Sequence, residues 1–185
     1  GLQENVWKLI PNRSEKDSEK RRAFTEDEIN AIFKACEGSI WYDACMVALY
    51  TGARLKDIRN LNKNDIQDGC WYLDPNKTRR YEIETVIPLH PKVNEVLERL
   101  FKQSDRPFNC SAMGRDNTKN RRSRFTKILR DAGIKPNGAI VDFHCWRHTF
   151  KTRMIAAGVP EDVVDEIGGW RPGGAGKRYN HDVSR

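Results

Sequence analysis

The sequence lacks any long hydrophobic run. No apolar segment approaches the roughly 20 residues that a membrane-spanning helix requires, and no charged-then-apolar signal peptide stands at its start. We therefore expect neither a membrane protein nor a secreted disulfide scaffold, and no membrane partner.

Metal-binding and disulfide patterns are also missing. The five cysteines are odd in number and form no CxxC pair, which argues against a structural zinc site and a disulfide framework. His144 and His148 are four residues apart, but neither an HExxH motif nor a third ligand accompanies them. The sequence therefore predicts reduced thiols in a cytosolic protein, no metal ion and no cofactor.

Charge is what the sequence has in abundance. The 185 residues are 38% hydrophobic and 32% charged, which suits one compact domain with a single core. Lys plus Arg number 33 against 26 for Asp plus Glu, and the net charge is +7. This excess favours a polyanionic partner, either nucleic acid or an anionic membrane surface.

The first 22 residues differ in composition from the rest. The chain begins with Gly1 rather than Met, and residues 13–22 (RSEKDSEKRR) are almost all charged or small. This is linker composition, so we interpret residues 1–22 as a charged linker from a missing N-terminal domain. Thr25 and Glu28 then form a capping box, and we place one folded domain at residues 23–185.

Apolar spacing within that domain predicts mainly helices. One predicted helix begins after Thr25. The others cover residues 40–50, 93–101, 125–132, 144–157 and 160–167. Residues 70–73 and 85–89 are typical of strands, and a polar, turn-prone stretch begins between them. The expected fold class is α+β, mainly helical with one small antiparallel sheet.

One stretch of the sequence is strongly basic. From Arg115 to Arg130 there are seven basic residues and one acid. A solvated helix face is the ordinary explanation of a charge run, whereas a phosphate backbone lying against it better explains so dense a charge of one sign. Under the second interpretation Arg121, Arg122 and Arg124 bind DNA.

Four short motifs follow one another along the chain. They are TGARLKD (residues 51–57), HCWRHTF (144–150), GGW (168–170) and YNH (179–181). His144 and Arg147 are three residues apart and so share one helix face, whereas His148 is expected to face elsewhere and to be structural. Each motif is weak alone, and the argument depends on their order and spacing.

Together the motifs resemble the catalytic domain of tyrosine recombinases, the family of phage integrases and bacterial chromosome-dimer resolvases. That family reads TGxR-xx-[DE], a hairpin lysine, HxxR, G-[HW] and then a tyrosine. Here Trp170 follows Arg147 by 23 residues and precedes Tyr179 by nine. The resemblance covers residues 23–181 and implies the fold of this family's DNA breaking-rejoining core.

The resemblance gives each motif residue a role. It implies that Arg54 and Arg147 bind the scissile phosphate, which suits the planar, permanently charged guanidinium. Tyr179 would be the nucleophile that forms a 3′-phosphotyrosine, and His144 would accept its proton or hydrogen-bond the phosphate. Trp170 would be an indole N–H donor, a packing residue, or both.

Lys77 would be the family's hairpin lysine, which protonates the 5′-oxygen leaving group. The neighbouring Arg79 and Arg80 hold their protons too tightly for that role. The resemblance further implies that Asp57 orients a catalytic side chain and that His181 belongs to a Tyr-x-His ending.

The function implied is that of a site-specific recombinase, an integrase of a phage or mobile element in the bacterial cytoplasm at the nucleoid. Its partners would be double-stranded DNA attachment sites, other copies in a synaptic homotetramer, and accessory DNA-bending proteins, while the fragment alone would be a monomer. The alternatives are a type IB topoisomerase-like enzyme and a catalytically inactive DNA-binding module. The spacing from Trp170 to Tyr179 favours the recombinase, and no catalytic position is missing, as an inactive module would require.

Overall fold

The computed structural model describes residues 21–73, 85–114 and 118–170, with the backbone alone for residues 118–123. The helices are α1 (Glu26–Ala35), α2 (Ile40–Thr51), α3 (Leu55–Asn60), α4 (Pro91–Phe101), α5 (Thr118–Asp131), α6 (Cys145–Ala156) and α7 (Glu161–Gly168). The strands are β1 (Ile66–Gln67), β2 (Cys70–Leu73) and β3 (Thr85–Pro88), and short 3-10 turns cover Lys63–Asp65 and Ser111–Met113. The predicted class, mainly helical with one small antiparallel sheet, is confirmed.

Helix α1 begins at the capping box that the sequence predicts. The Thr25 hydroxyl accepts a hydrogen bond from the backbone N–H of Glu28 at 3.2 Å. The Glu28 carboxylate in turn accepts from the backbone N–H of Thr25 at 3.0 Å. Two N–H groups without helical partners are thereby satisfied, and Ile29 and Ile32 are buried on the inner face.

The sheet has one strand more than the sequence analysis predicted. Strands pair antiparallel in the order β1-β2-β3, and the buried Trp71 lies opposite the buried Ile87. The added strand β1 joins β2 through Asp68 and Gly69, whose φ angles are +48° and +74°. Two left-handed residues in a two-residue connection make a tight hairpin turn, and an Asp-Gly pair is a strong sequence signal for it.

Helix α6 runs through the centre of the core. Its residues 145–151 are all buried, and it packs against α2 and α7. Trp146 is fully buried, with its ring centroid 4.9 Å from that of Phe24 and 5.7 Å from that of Phe33. Because neighbours enclose the first seven residues of this helix, the side chains of Arg147 and Lys151 have little room to move.

Within the described parts of the chain, no helix has both the length and the apolar character needed to cross a membrane.

Candidate active site

Arg147 lies at the centre of the candidate site, on the buried helix α6. Its side chain is almost inaccessible, and the residue is 4% exposed. Nη1 donates a hydrogen bond to the carbonyl oxygen of Gly52 at 2.8 Å, and Nη2 donates to the carbonyl oxygen of Gly168. Gly52 caps α2 and Gly168 ends α7, so one guanidinium joins three helices and three of the predicted motifs.

Gly52 is required at its position for two reasons. It ends α2 in the left-handed conformation with φ +63°, which glycine adopts without steric cost. A Cβ atom on this residue would lie 2.6 Å from Cδ1 of Phe150. The chain therefore passes close over α6 and brings the following residues to the site.

Arg54 is the N-cap residue of α3, two residues after that turn. Its side chain is 49% exposed, in contrast to buried Arg147. Asp57 is positioned one turn later, with Oδ2 3.9 Å from Nη1 of Arg54. The carboxylate is thus close enough to orient Arg54, the role that the sequence analysis gives it.

His144 immediately precedes α6 and is anchored through its backbone. Its N–H donates to Oδ1 of Asp142 at 2.9 Å. Asp142 is itself held by Arg21, whose Nε and Nη2 donate to the two carboxylate oxygens at 3.0 and 2.9 Å. A residue at the start of the described chain therefore fixes the loop that carries His144.

The imidazole of His144 is in an electropositive, half-buried environment. Burial, and then the positive charge of Arg147, lower the pKa of His144 from 6.5 to about 4, with smaller contributions from Arg21 and Arg54. The carboxylate of Asp142 opposes the shift. Because both effects disfavour the imidazolium, His144 is neutral at pH 7 and able to accept a proton.

The orientation of His148 differs from the one predicted. Its ring centroid lies 5.6 Å from that of His144 in an edge-to-face arrangement. The expectation that His148 faces elsewhere is therefore wrong, because residues four apart on a helix share one face. His148 is 8% exposed, and burial, followed by the charge of His144, lowers its pKa to about 4.

Trp170 places its indole directly against Arg147. The Cζ atom of Arg147 lies 3.9 Å from the ring centroid, and Phe150 stacks near-parallel to the ring at 6.5 Å. A cation over an indole face is attracted by the ring's electrons. The packing role predicted for Trp170 is thus directly visible, and the packing holds the indole beside Arg147.

Two glycines make this position possible. Gly169 adopts φ +60° and turns the chain after α7, and a Cβ on Gly168 would lie 1.5 Å from Cζ3 of Trp170. The ring thus occupies the space where a side chain of residue 168 would stand. The GGW motif is a means of folding tryptophan back onto α6.

Comparison with known proteins identifies the family. Residues 22–185 match the phage integrase family. The chain belongs to this family. A putative integrase/recombinase, y4gC, of Sinorhizobium fredii is 29% identical over 135 residues, and the match covers 68% of this chain and 67% of that protein. The family resemblance predicted from the motifs is confirmed.

Solved structures of integrases and recombinases share the fold. A lambda integrase dimer bound to a COC′ core site is 19% identical with a TM-score of 0.75, covering 96% of this chain and 52% of that one. The XerA recombinase is 20% identical with a TM-score of 0.70, covering 92% and 61%. The lambda integrase catalytic core is 20% identical with a TM-score of 0.65, covering 81% and 91%. This integrase-family chain thus spans about half of the lambda integrase chain in the dimer, about three-fifths of the XerA chain, and about nine-tenths of the lambda integrase catalytic core.

Residues 118–130 of the basic stretch in this integrase-family domain lie on α5. Lys127 and Arg130 have side chains 69% and 73% exposed. Arg124 has a structural contact instead, since its Nη1 donates to the carbonyl oxygens of Ser111 and Ala112, the latter at 2.5 Å. The charge pattern did not predict this tie between α5 and the preceding turn. The side chains of Arg121 and Arg122 lie outside the described residues.

Three predicted site residues of the integrase also lie outside the described residues: Lys77, Tyr179 and His181. Lys77 belongs to the segment between β2 and β3, which pair antiparallel as predicted. The roles of all three remain predictions from the motifs.

One buried charge near the site was not predicted. Lys151 is fully buried, and its Nζ donates to Oε1 of Glu161 at 2.9 Å and to Oδ1 of Asp165 at 2.5 Å. The sequence holds one indication of such a cluster: Glu161 and Asp165 are four residues apart on α7 and so share one helix face. Nothing in the pattern around residue 151 distinguishes this lysine from an exposed one.

Proposed function

We propose that this chain is the catalytic domain of a site-specific recombinase that cleaves and rejoins DNA through a 3′-phosphotyrosine at Tyr179. The observation that carries the proposal is the position of Arg147. Carbonyl oxygens from two other motifs hold its guanidinium, and the indole of Trp170 covers one face. Arg54, half exposed, supplies the second cation.

The two arginines suit the charge that develops at phosphorus. In-line displacement places negative charge on the two non-bridging oxygens, and a planar guanidinium binds such oxygens bidentately. A donor fixed before the reaction stabilises that charge without reorganising. Arg147 meets this requirement because packing sets its orientation, while the more exposed Arg54 is available to engage DNA as it arrives.

In the proposed step, the hydroxyl oxygen of Tyr179 attacks phosphorus while the bond to the 5′ oxygen breaks. The tyrosine proton passes to His144, and Lys77 delivers a proton to the leaving 5′ oxygen. His144 is neutral in the free domain because its pKa is about 4, and an adjacent phosphate raises the proton affinity of an imidazole. A 5′-hydroxyl from a second strand then attacks phosphorus and gives its proton to Lys77, while the bond from phosphorus to the Tyr179 oxygen breaks and the tyrosine regains its proton from His144; the phosphodiester energy is thereby conserved for rejoining.

We propose duplex attachment sites as the partner, held in part by the basic face of α5. Its exposed Lys127 and Arg130 supply the sequence-independent phosphate contacts. Assembly of four copies at synapsis is proposed by analogy. The similar lambda integrase structures are a dimer on a core site and a tetramer on a Holliday junction.

The test is formation of a covalent adduct. The purified chain is incubated with a random-sequence pool of nicked duplexes in EDTA, and SDS-resistant adducts are isolated and sequenced. We expect an adduct that persists in EDTA, because the proposed site stabilises charge with arginines rather than metal ions. Tyr179→Phe should abolish it without weakening DNA binding. Tyr42→Phe, which keeps the ring contact with Phe33, is the matched control and should retain it.

The outcomes separate the alternatives. A binding module gives no adduct at any site. A topoisomerase-like enzyme gives adducts without sequence preference and relaxes supercoiled plasmid that carries no repeated site. An adduct formed by the Tyr179→Phe variant, or one that requires added magnesium, would overturn the mechanism.

A further inference from the structure

Lys151 is the most deeply buried charge in the described parts of the chain. The residue is 0% exposed and lies one helical turn after Arg147 on α6. A lysine ammonium removed from water is stabilised only by well-placed partners. Here the partners are the carboxylates of Glu161 and Asp165, at 2.9 and 2.5 Å.

Both carboxylates come from α7, the helix that leads into Trp170. Asp165 makes a second contact, since its carbonyl oxygen accepts a hydrogen bond from the backbone N–H of Trp170 at 2.7 Å. The same residue thus holds Lys151 through its side chain and Trp170 through its backbone. The ion cluster of Lys151, Glu161 and Asp165 therefore fixes the turn from which the indole extends.

The ammonium also lies close to the indole itself. Nζ of Lys151 is 5.5 Å from the Trp170 ring centroid, and Cζ of Arg147 is 3.9 Å from it. Two cations one helical turn apart therefore lie near one aromatic ring. Such attraction is stronger where water is excluded.

Stability alone does not account for a charge at this position. Replacing a buried ion cluster with apolar side chains of similar volume is often neutral or stabilising. A buried polar cluster does, however, allow fewer arrangements than an apolar contact. Its consequence here is a fixed orientation of α7 and of the ring that covers Arg147.

We infer that Lys151 is a positioning residue for DNA cleavage, which acts by holding Trp170 against Arg147. The activity measurement that tests this inference rests on the proposed function. The spectroscopic measurement does not depend on it. Lys151 touches neither DNA nor the reacting atoms in this role.

The experiment compares Lys151→Met with the wild-type chain in two measurements. Fluorescence of Trp170 is obtained by subtracting the spectrum of Trp170→Phe, and its accessibility is measured by acrylamide quenching. We expect a red-shifted, more readily quenched Trp170 in the variant. Single-turnover cleavage by DNA-bound protein should fall about 10- to 100-fold, the range for a small misplacement of catalytic groups, while DNA affinity stays unchanged.

A double variant tests whether Lys151 acts through the indole. In a Trp170→Ala background, Lys151→Met should change the cleavage rate by no more than about twofold, because effects that share one route are not additive. Full additivity, or an unchanged Trp170 spectrum in the single variant, would overturn the inference. If the wild-type chain forms no adduct, the proposed function fails, while the fluorescence measurement still decides whether Lys151 holds the ring.

Two further variants separate positioning from folding. Lys151→Met/Glu161→Gln/Asp165→Asn removes every charge of the cluster, so no carboxylate is left unpaired and folding is preserved, yet the altered Trp170 spectrum should remain. Arg99→Met breaks a different ion pair, with Asp43 on α2, and should leave the Trp170 spectrum and cleavage unchanged. A wild-type spectrum in the triple variant would contradict positioning by the ions.

Discussion

Replacing Gly52 with alanine should be among the most damaging single-methyl additions to this domain. At φ +63°, an L-residue costs roughly 1–2 kcal/mol relative to glycine. The new Cβ would also lie 2.6 Å from Cδ1 and 3.0 Å from Cγ of Phe150, a buried ring. Overpacking of this kind costs about 1–3 kcal/mol, so the free energy of unfolding should fall by about 2–5 kcal/mol.

Gly158→Ala provides the matched control. Gly158 has φ +83°, and a Cβ there would meet no atom within 4 Å, so only the backbone cost applies. Urea unfolding of both variants is followed by circular dichroism. If their m-values are equal, the packing cost of Gly52→Ala is the difference between the free energies of unfolding that the two variants lose. Equal destabilisation would refute the argument, since Phe150 would then be able to move aside freely.

The same substitution should affect chemistry. Phe150 stacks on Trp170, and the carbonyl of residue 52 holds Arg147. We therefore expect slower adduct formation by Gly52→Ala, measured at saturating protein and at a temperature where both variants are folded, and little change for Gly158→Ala.

Four other predictions follow from individual contacts. Gly168→Ala places a Cβ 1.5 Å from the Trp170 ring, so the ring must leave its packed position, and both the rate of adduct formation and the Tm should fall; wild-type rates would show that the ring adjusts. The pKa of His148 is lowered to about 4, so the unfolded chain binds more protons than the folded one between pH 6.5 and 4, and the free energy of unfolding falls as pH falls through that range. In His148→Gln the free energy of unfolding should depend less steeply on pH, and an unchanged dependence counts against the shift. Lys77→Ala should lose cleavage of normal DNA but recover on a 5′-phosphorothiolate, whose leaving group needs no proton; no recovery would place the acid elsewhere. Arg130→Gln should reduce the slope of log affinity against log salt by about 1, and an unchanged slope would exclude a phosphate contact.

Local features of the fold were predictable because their causes are local. The capping box at Thr25 and Glu28 depends on neighbouring residues, and so does the left-handed stop at Gly52. The strand pair β2-β3 follows from short runs of strand-forming residues. Strand β1 could have been found from the Asp-Gly turn after it, but two residues carry no period of their own.

The site itself was only partly predictable. Motif spacing led to Arg54, His144 and Arg147, but not to the carbonyl oxygens that hold Arg147, because a backbone acceptor leaves no trace in side-chain identity. The burial of Lys151 depends on how α7 packs on α6, which no local pattern encodes. The sequence pattern groups Arg124 with the residues predicted to bind phosphate, because charge density cannot distinguish a side chain that hydrogen-bonds to nearby backbone carbonyls.

The two hydrogen bonds of Arg147 have a consequence for the order of folding. They join residues 95 and 21 positions apart in the chain. Closing the longer loop costs about 1.3 kcal/mol more conformational entropy than closing the shorter one, so the link to α7 is the easier of the two to form. During synthesis, both residues of the link to Gly52 are available once Arg147 has left the ribosome, whereas the link to α7 must wait for residue 168. Arg147 thus gains both of its backbone hydrogen bonds only when nearly all of the described residues have been made.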